Sequence, residues 1–398
     1  MGALERYRSV LRAPHVGRLW VVTTIARMGV GINGLAIVLA MREETGSFAA
    51  AGVAAGAHAL VLGLANPVQG RLFDRLGPRT AVPPLIAWHV VTMSAFIVLL
   101  PVAPTGVLIA LAALSGFGQP PWSAILRAMW PRLLGSESMI TTAFALDSTL
   151  IELVFVIGPL IVAASVAIAA PQIALIVALV LIVAGASQVV ASPAIRAWEP
   201  EARHGRGPFA ALSSPGLLTV VLATIPIGLS FGAFEISLPA FAEDHASRSD
   251  AGVLIALWAV GSAVGGLAYG ARDWASTLTT RWLALTGALG LLILAPIVAG
   301  SMFVMALLVM PAGACIAPAI AAGNQLMGTL APPGMTTEAY AWGPTALVAG
   351  FAGGSAIGGS LVEAHDWRAA VLLAAGAAAL GAVVAFARRG TLVRPVAG

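Results

Sequence analysis

The sequence contains no lysine, a single cysteine (Cys315) and few charges of either sign, which together make up 10% of its 398 residues. One cysteine excludes an intrachain disulfide bond and a metal site built from cysteine ligands. Soluble domains carry about 25% charged residues, whereas here 59% of the residues are hydrophobic and the mean hydropathy is +0.95. The composition therefore excludes an ordinary soluble protein and predicts a polytopic membrane protein.

The chain lacks the sequence signatures of several other classes of protein. No basic stripe with interleaved aromatic residues is present, so nucleic acid is not expected as a partner. No nucleotide-binding motif is present, so any transport must draw its energy from a gradient. No Ser/His/Asp set and no group of side chains with metal-ligand spacing is present, so we expect no enzyme activity, no cofactor and no metal.

Long apolar runs dominate the chain. A run of about 20 residues covers the ~30 Å hydrocarbon core of a bilayer, and twelve such runs can be placed. The long polar stretch at 192–215 divides them, so we predict an all-α protein with six-helix bundles at 1–191 and 216–398. Arginines concentrate on one side in this topology, which predicts a multi-pass protein of the cell (inner or plasma) membrane with both termini in the cytoplasm.

The most informative stretch is GRLFDRLGPR, at residues 70–79, between the second and third apolar runs. Its three arginines favour the cytoplasmic side, its two glycines favour a tight reversal, and Pro78 cannot continue a helix. The stretch resembles the Gly-x-Leu-x-Asp-Arg-x-Gly-Arg-Arg loop of the major facilitator superfamily, and it matches this loop at Gly70, Leu72, Asp74, Arg75, Gly77 and Arg79.

This resemblance implies two six-helix bundles, related by a pseudo-two-fold axis along the membrane normal, that open a central site alternately to either side. It also implies that Asp74, with Arg75 nearby, belongs to an inner gate. When the cavity faces outward, Asp74 is expected to approach the start of span eleven, which carries Glu338. From the residues themselves, Thr336 or Thr337 is expected to cap that helix start.

A second resemblance concerns span five. Gly158-Pro159 is similar to the antiporter signature of the same superfamily, Gly-x-x-x-Gly-Pro-x-x-Gly-Gly, with Val154, Val162 and Ala163 in place of three of its glycines. Within the superfamily this motif accompanies export by antiport. Physically, the glycine allows close helix packing, and the proline frees a backbone carbonyl and bends the helix.

Ionisable residues inside spans are costly unless they are paired or hydrated, which makes them candidates for function. Arg27 lies about 14 Å deep in span one and Glu152 about 20 Å deep in span five. We predict that these two side chains pair, with Glu152 either a proton site or half of a permanent structural pair. Asp147 lies about 140° around the helix from Glu152. It is either an inner-gate contact, for which Arg127 is a candidate partner, or part of a proton relay.

Two further groups leave alternatives open. Glu235 lies near the outer end of span seven, where it either faces the cavity as a second titrating group or reaches the outer water. His58 lies near the middle of span two. Its usual pKa range suits proton coupling, but a neutral histidine hydrogen-bonded to a neighbouring helix is the other interpretation.

The resemblance implies a substrate cavity lined by spans one, four, seven and ten. Polar and aromatic residues in or near those spans are candidates to line or rim the cavity: Asn33, Gln119, Trp122, Trp258, Asn324, Gln325, Tyr340 and Trp342. A largely apolar, aromatic wall suits an amphiphilic or hydrophobic compound better than a sugar.

These observations predict a monomeric secondary transporter that exports a small amphiphilic molecule by proton antiport, with the substrate, protons and the lipid bilayer as partners. The alternative is a proton-coupled uptake carrier for a sugar or metabolite on the same fold. A membrane receptor without transport activity is a rival from another class, but charges inside the spans argue against a passive scaffold.

Overall fold

The computed structural model describes residues 3–46, 48–199, 209–245 and 251–393, with the side chains of residues 3, 4, 48, 49, 152, 251 and 252 outside the description. The described ranges are helical, with no strand. Helices before the polar connection are α1 (Ala3–Arg12), α2 (Val16–Thr45), α3 (Phe48–Leu76), α4 (Pro78–Leu99), α5 (Thr105–Phe117), α6 (Trp122–Leu133), α7 (Glu137–Ile168) and α8 (Pro171–Ala191). We call these eight helices the first half.

The connection itself contains a one-turn helix, α9 (Pro193–Arg196), and a short 3-10 turn (Ala210–Ser213). The helices that follow are α10 (Pro215–His245), α11 (Ala251–Gly270), α12 (Leu278–Leu294), α13 (Met302–Gly313), α14 (Ile316–Leu330), α15 (Thr336–Ala364) and α16 (Trp367–Ala387). We call these seven helices the second half.

Eleven helical stretches of the described chain are long and apolar enough to span a membrane, counting α13 and α14 as one stretch. The consecutive short helices α5 and α6 supply a further span, which gives twelve, six in each half. The predicted all-α fold of twelve helices in two bundles is confirmed. The boundaries at 1–191, 192–215 and 216–398 stay a prediction, and residues 200–208 of the connection lie outside the described ranges.

The break between α5 and α6 follows from proline chemistry. Pro121 has no N–H, so the carbonyl of Phe117 loses the donor that a continuous helix would supply. The side-chain amide of Gln69, on α3, donates to this carbonyl instead. Gln69 is buried, with 1% of its surface exposed, so the bond stands in for the missing helical one. The interruption that Pro120-Pro121 predicted is present.

Segment 70–79 differs from the expected loop. Residues 70–76 continue α3, the reversal is made by Gly77 alone with a φ of 73°, and Pro78 is the first residue of α4. Gly70 has a different role, because a Cβ there would lie 2.7 Å from the backbone oxygen of Thr337 on α15. The prediction that both glycines make the turn is wrong for Gly70, which permits helix contact.

We expect Gln69→Leu to lower the free energy of unfolding by about 1–3 kcal/mol, because the Phe117 carbonyl loses the donor that replaces the missing helical one. The thermal midpoint of the purified protein in detergent measures this loss. Gln188→Leu is the matched control, because Gln188 is exposed and its side chain accepts a hydrogen bond only from Arg18, which is also exposed. Equal midpoints for the two variants would contradict the role given to Gln69.

Candidate functional site

The buried apolar side chains form three clusters, and their distribution shows where the halves meet. One cluster contains residues of both halves, among them Trp20, Trp130, Phe144, Trp282 and Tyr340. A second cluster contains residues of the second half alone, and the third contains residues of the first half alone. We call the end with the shared cluster, which holds α1 and segment 70–79, the closed end. Toward the opposite end each half has its own core.

Asp74 joins the halves at the closed end. Its Oδ1 accepts the N–H of Thr337 at 2.8 Å and its Oδ2 accepts the N–H of Glu338 at 2.9 Å. These amides belong to the first turn of α15, where helical donors are unsatisfied and negative charge is favoured. The predicted approach of Asp74 is present. The expected cap from Thr336 or Thr337 is wrong, because the carboxylate of the other half takes that place.

Glu338 extends this contact to the connection between the halves. Its side chain is 1% exposed, and Oε1 accepts the N–H of Ala211 at 3.2 Å. The two other charged residues assigned to the gate motif, Arg75 and Arg79, are exposed. The carboxylate of the motif therefore makes the contact to α15, while these two arginine side chains lie on the protein surface.

The helix α1 also crosses to the second half. Arg6 donates to both carboxylate oxygens of Asp273 at 2.5 Å, and the Tyr7 hydroxyl donates to the backbone oxygen of Leu267 at 2.5 Å. We call these contacts the α1 clasp. The hydrogen bond from Arg6 lowers the pKa of Asp273, and burial raises the pKa of Tyr7 to about 12. A lowered carboxyl pKa keeps the pair ionised at neutral pH, and the pair is lost only when the pH falls through that pKa.

Three buried charges form a triad inside the first half. Asp147 on α7 accepts Arg27 Nη1 from α2 at 2.6 Å and Arg127 Nε from α6 at 2.9 Å. Its side chain is fully buried, and the arginines are 2% and 6% exposed. The Asp147–Arg127 contact predicted from the sequence is present. The predicted partner of Arg27 was Glu152, whose side chain lies outside the description, and the structure pairs Arg27 with Asp147.

A backbone contact next to the triad brings α2 and α7 together. A Cβ at Gly158 would lie 2.4 Å from the backbone oxygen of Gly31. Gly31 follows Arg27 by one helical turn, so the two residues share a face of α2. The close packing predicted from Gly158 is present, and Pro159 stands next to it inside α7.

His58 is hydrogen-bonded to a neighbouring helix, as the second of its two interpretations requires. Its Nδ1 lies 2.9 Å from Ser115 Oγ and 3.1 Å from the Ala112 carbonyl oxygen. Both partners are on α5, and His58 is 3% exposed. The imidazole therefore ties α3 to α5.

The eight candidate cavity residues fall into two groups. Six of them are spread over both halves and keep at least one buried polar atom without a hydrogen-bond partner among the described residues: Asn33, Gln119, Trp122, Trp258, Asn324 and Trp342. Such atoms are rare in native proteins unless a water or a ligand satisfies them. Gln119 lies against α2, with Nε2 2.7 Å from the Cβ position of Gly29.

The other two candidates contribute to closure instead. Gln325 accepts the hydroxyl of Thr141 from the first half at 3.1 Å. Tyr340 packs against Phe144, with ring centroids 5.8 Å apart. Both contacts join the halves at the closed end, so the expectation that these side chains line an open cavity is not met in this conformation.

Together these features define a class of protein: a helical membrane protein of twelve spans whose two six-span halves meet at one end. The sequence profile of the Major Facilitator Superfamily matches residues 19–225 and 220–396. The chain belongs to this superfamily and is a secondary transporter. No curated protein matches the sequence.

Solved structures share the fold. A bacterial homologue of the iron transporter ferroportin in an outward-facing state aligns with a TM-score of 0.77 and 15% identity, over 94% of this chain and 99% of its own. The human organic anion transporter MFSD10 (TETRAN) aligns with a TM-score of 0.69 and 14% identity, over 94% and 99%. The E. coli fucose:proton symporter FucP aligns with a TM-score of 0.67 and 14% identity, over 95% and 99%. At these identities the likeness concerns the fold alone.

We expect Asp147→Asn to destabilise the protein by about 3–5 kcal/mol, because two buried guanidinium groups lose their shared counter-charge. The thermal midpoint in detergent is the measurement. Asp244→Asn, the same change at an exposed position of α10, should stay within about 0.5 kcal/mol of wild type. A loss as small as that of the control would show that the triad is not a stabilising unit.

We expect Asp74→Asn to reduce transport while membrane insertion is retained, since the charge on the start of α15 is lost. Asp366→Asn is the matched control: Asp366 also accepts the first amides of a helix, but within one half. Flux per inserted molecule should fall in the first variant and stay near wild type in the second. Wild-type flux with Asp74→Asn would rule out the gate assignment.

Proposed function

We propose that the protein exports a small amphiphilic or hydrophobic molecule in exchange for protons, by alternating access between its two halves. In this proposal it acts as a monomer in the cell membrane, with the closed end and both termini on the cytoplasmic side. The concentration of arginines in the segments at that end supports this orientation.

The observation that carries the proposal is the contact of α2 with α7. The antiporter-like Gly158 lies on Gly31. Gly31 is one turn along α2 from Arg27, which pairs with Asp147, and Gly158 is eleven residues, or about three turns, along α7 from Asp147. The adjacent Pro159 has no N–H to complete the local helical bonding, which gives α7 a point of flexure. A helix that carries a buried carboxylate on one side of its bend can link a change of charge to a change of access.

Two acidic side chains are the best candidates to carry the proton. Asp147 is held as a carboxylate by two guanidinium groups, and His58 is engaged with α5. Glu235 is half-buried and has no ion pair or hydrogen bond within the described part of the chain. Glu152 follows Asp147 by five residues, and Arg27 keeps Nε and Nη2 without partners there, which supports the predicted pairing of Glu152 with Arg27 in one state.

The sign of proton movement separates export from the uptake alternative. We expect that amphiphiles added to inside-out vesicles with an acidic lumen cause protons to leave the lumen as the substrate enters. The test panel consists of ethidium, N-phenyl-1-naphthylamine and 8-anilinonaphthalene-1-sulfonate, which carry positive, zero and negative charge. A pH-sensitive dye in the lumen records the flux, with Glu235→Gln and Glu152→Gln compared against wild type.

Acidification of the lumen on addition of substrate would identify a symporter and overturn the proposed direction of coupling. No change with any amphiphile would overturn the proposed substrate class. Vesicles without the protein correct for passive entry of each compound.

A further inference from the structure

Glu235 lies on α10, and packing contacts on either side of it define its direction. On one flank, Gly228 brings α10 against α15, where a Cβ would lie 2.2 Å from the backbone oxygen of Leu347. On the other flank, Phe231 packs on Trp258 of α11, with ring centroids 6.0 Å apart. At about 100° per residue, Glu235 falls about 20° from Gly228 and about 40° from Phe231. Its side chain therefore leaves α10 between α15 and α11.

The gap between these two helices faces the first half. On one side, the Thr345 hydroxyl of α15 donates to the Gly63 carbonyl of α3 at 2.7 Å. On the other side, a Cβ at Gly266 of α11 would lie 2.6 Å from the Thr149 hydroxyl of α7. Both flanking helices are thus interface helices, and the face of α10 between them looks across to the first half.

The position along α10 places Glu235 beyond the closed end. It follows Pro215 by 20 residues, or about 30 Å, and precedes His245 by ten residues, or about 15 Å. Thr345 lies only about 14 Å along α15 from its start. At the level of Glu235 each half has its own apolar core. The flanking contacts of α10, rather than this depth, favour the cavity-facing interpretation of Glu235 over a carboxylate at the outer membrane surface.

No positive side chain is found beside Glu235 within the described ranges. Four helices pack on α10, and α14 has no ionisable group. The ionisable groups of α11, α15 and α16, and of the turns that follow α15 and α16, lie toward the helix ends. Those at the closed end are Tyr269, Glu338, Tyr340, Arg388 and Arg389. Those at the opposite end are Glu363, His365 and Arg368. On α10 itself, Glu243, Asp244 and His245 occupy the final exposed residues. A half-buried carboxylate without a counter-charge is costly, and either a proton or a cation removes that cost.

We propose that Glu235 binds the positive group of an amphiphilic cation and that a proton and this cation compete for the same carboxylate. This inference rests on the proposed export by proton antiport and specifies the substrate class. Aromatic side chains near Glu235 in the sequence of α10 offer an apolar wall for the cation: Phe231 and Phe234 both pack on Trp258 of α11. Binding releases the proton from the carboxyl group, so one positive charge replaces another.

Calorimetry with the purified full-length protein in detergent tests this competition. The probes are tetraphenylphosphonium and tetraphenylborate, which share a shape and differ in sign. We expect the phosphonium to bind more tightly at pH 8 than at pH 6, to release up to one proton, and to bind about 10- to 100-fold more weakly to Glu235→Gln, without pH dependence. The Arg6–Asp273 pair stays ionised at both pH values, so it does not contribute to this difference.

Two control variants accompany the test. Glu363→Gln removes a carboxylate from an exposed position of α15 and should bind the phosphonium as wild type does, while Glu235→Asp should retain a pH-dependent site. Proton release by the wild-type protein, measured in buffers of different ionisation enthalpy, tests the proposal even if Glu235→Gln fails to fold.

The proposal is overturned if the phosphonium binds Glu235→Gln as tightly as wild type, if it releases no proton from wild type, or if tetraphenylborate binds with the same dependence on Glu235. These failures are distinct from failure of the antiport proposal. Proton exit driven only by neutral or anionic amphiphiles would keep antiport and remove the cation site. Phosphonium binding that needs Glu235, without proton exit for any amphiphile, would keep the site and remove antiport.

Discussion

The first half is organised by a single buried carboxylate. Inside a membrane-embedded bundle, a charged side chain must find its partners within the protein. The Asp147 carboxylate accepts hydrogen bonds from two arginines on two other helices, so α2, α6 and α7 are fixed to one another at one depth. The approach of Gly31 to Gly158 joins α2 and α7 again, one turn further along α2 and about three turns further along α7. These three helices are therefore held as one unit at the depth of the triad, and the flexure at Pro159 lies about three turns away along α7.

Besides the Arg6–Asp273 ion pair of the α1 clasp, the interface between the halves contains side chains bound to backbone groups. Asp74 binds amide groups at the start of α15, Tyr7 binds the Leu267 carbonyl, and Thr142 binds the Gly270 carbonyl at 2.8 Å. The amides at the start of α15 and the Gly270 carbonyl lie at helix ends, where intrahelical partners run out and water can replace the partner. The Leu267 carbonyl, near the end of α11, also accepts the N–H of Ala271 at 3.0 Å. A hydrogen bond that exchanges with water contributes about 0.5–1.5 kcal/mol. Such bonds hold the closed end and can exchange with water when it opens, whereas opening also separates the Arg6–Asp273 ion pair.

Sequence reasoning located the features that depend on local chemistry. The spans follow from apolar length, the break in span four follows from the missing N–H groups of Pro120 and Pro121, and Asp74 follows from its motif. The partner of Arg27 depends on something else, namely which faces of α2 and α7 meet. Depth along a helix can be counted from the sequence, but Asp147 and Glu152 differ by about 140° in direction, and tertiary packing selects between them.

The role of Gly70 escaped for the same reason, because a glycine that permits contact with a distant helix looks like a glycine that permits a turn. The sequence near α1 does not indicate the α1 clasp. Arg6 is one of several charged residues in an amphipathic segment, and its partner Asp273 is 267 residues away.

That separation bears on how the molecule is assembled. The ribosome delivers Arg6 long before Asp273, so α1 must wait at the membrane surface while the first eight spans are inserted. The clasp forms only after the loop between α11 and α12 has emerged. The segment made first thus takes part in a contact that cannot form until eight of the twelve spans have been made.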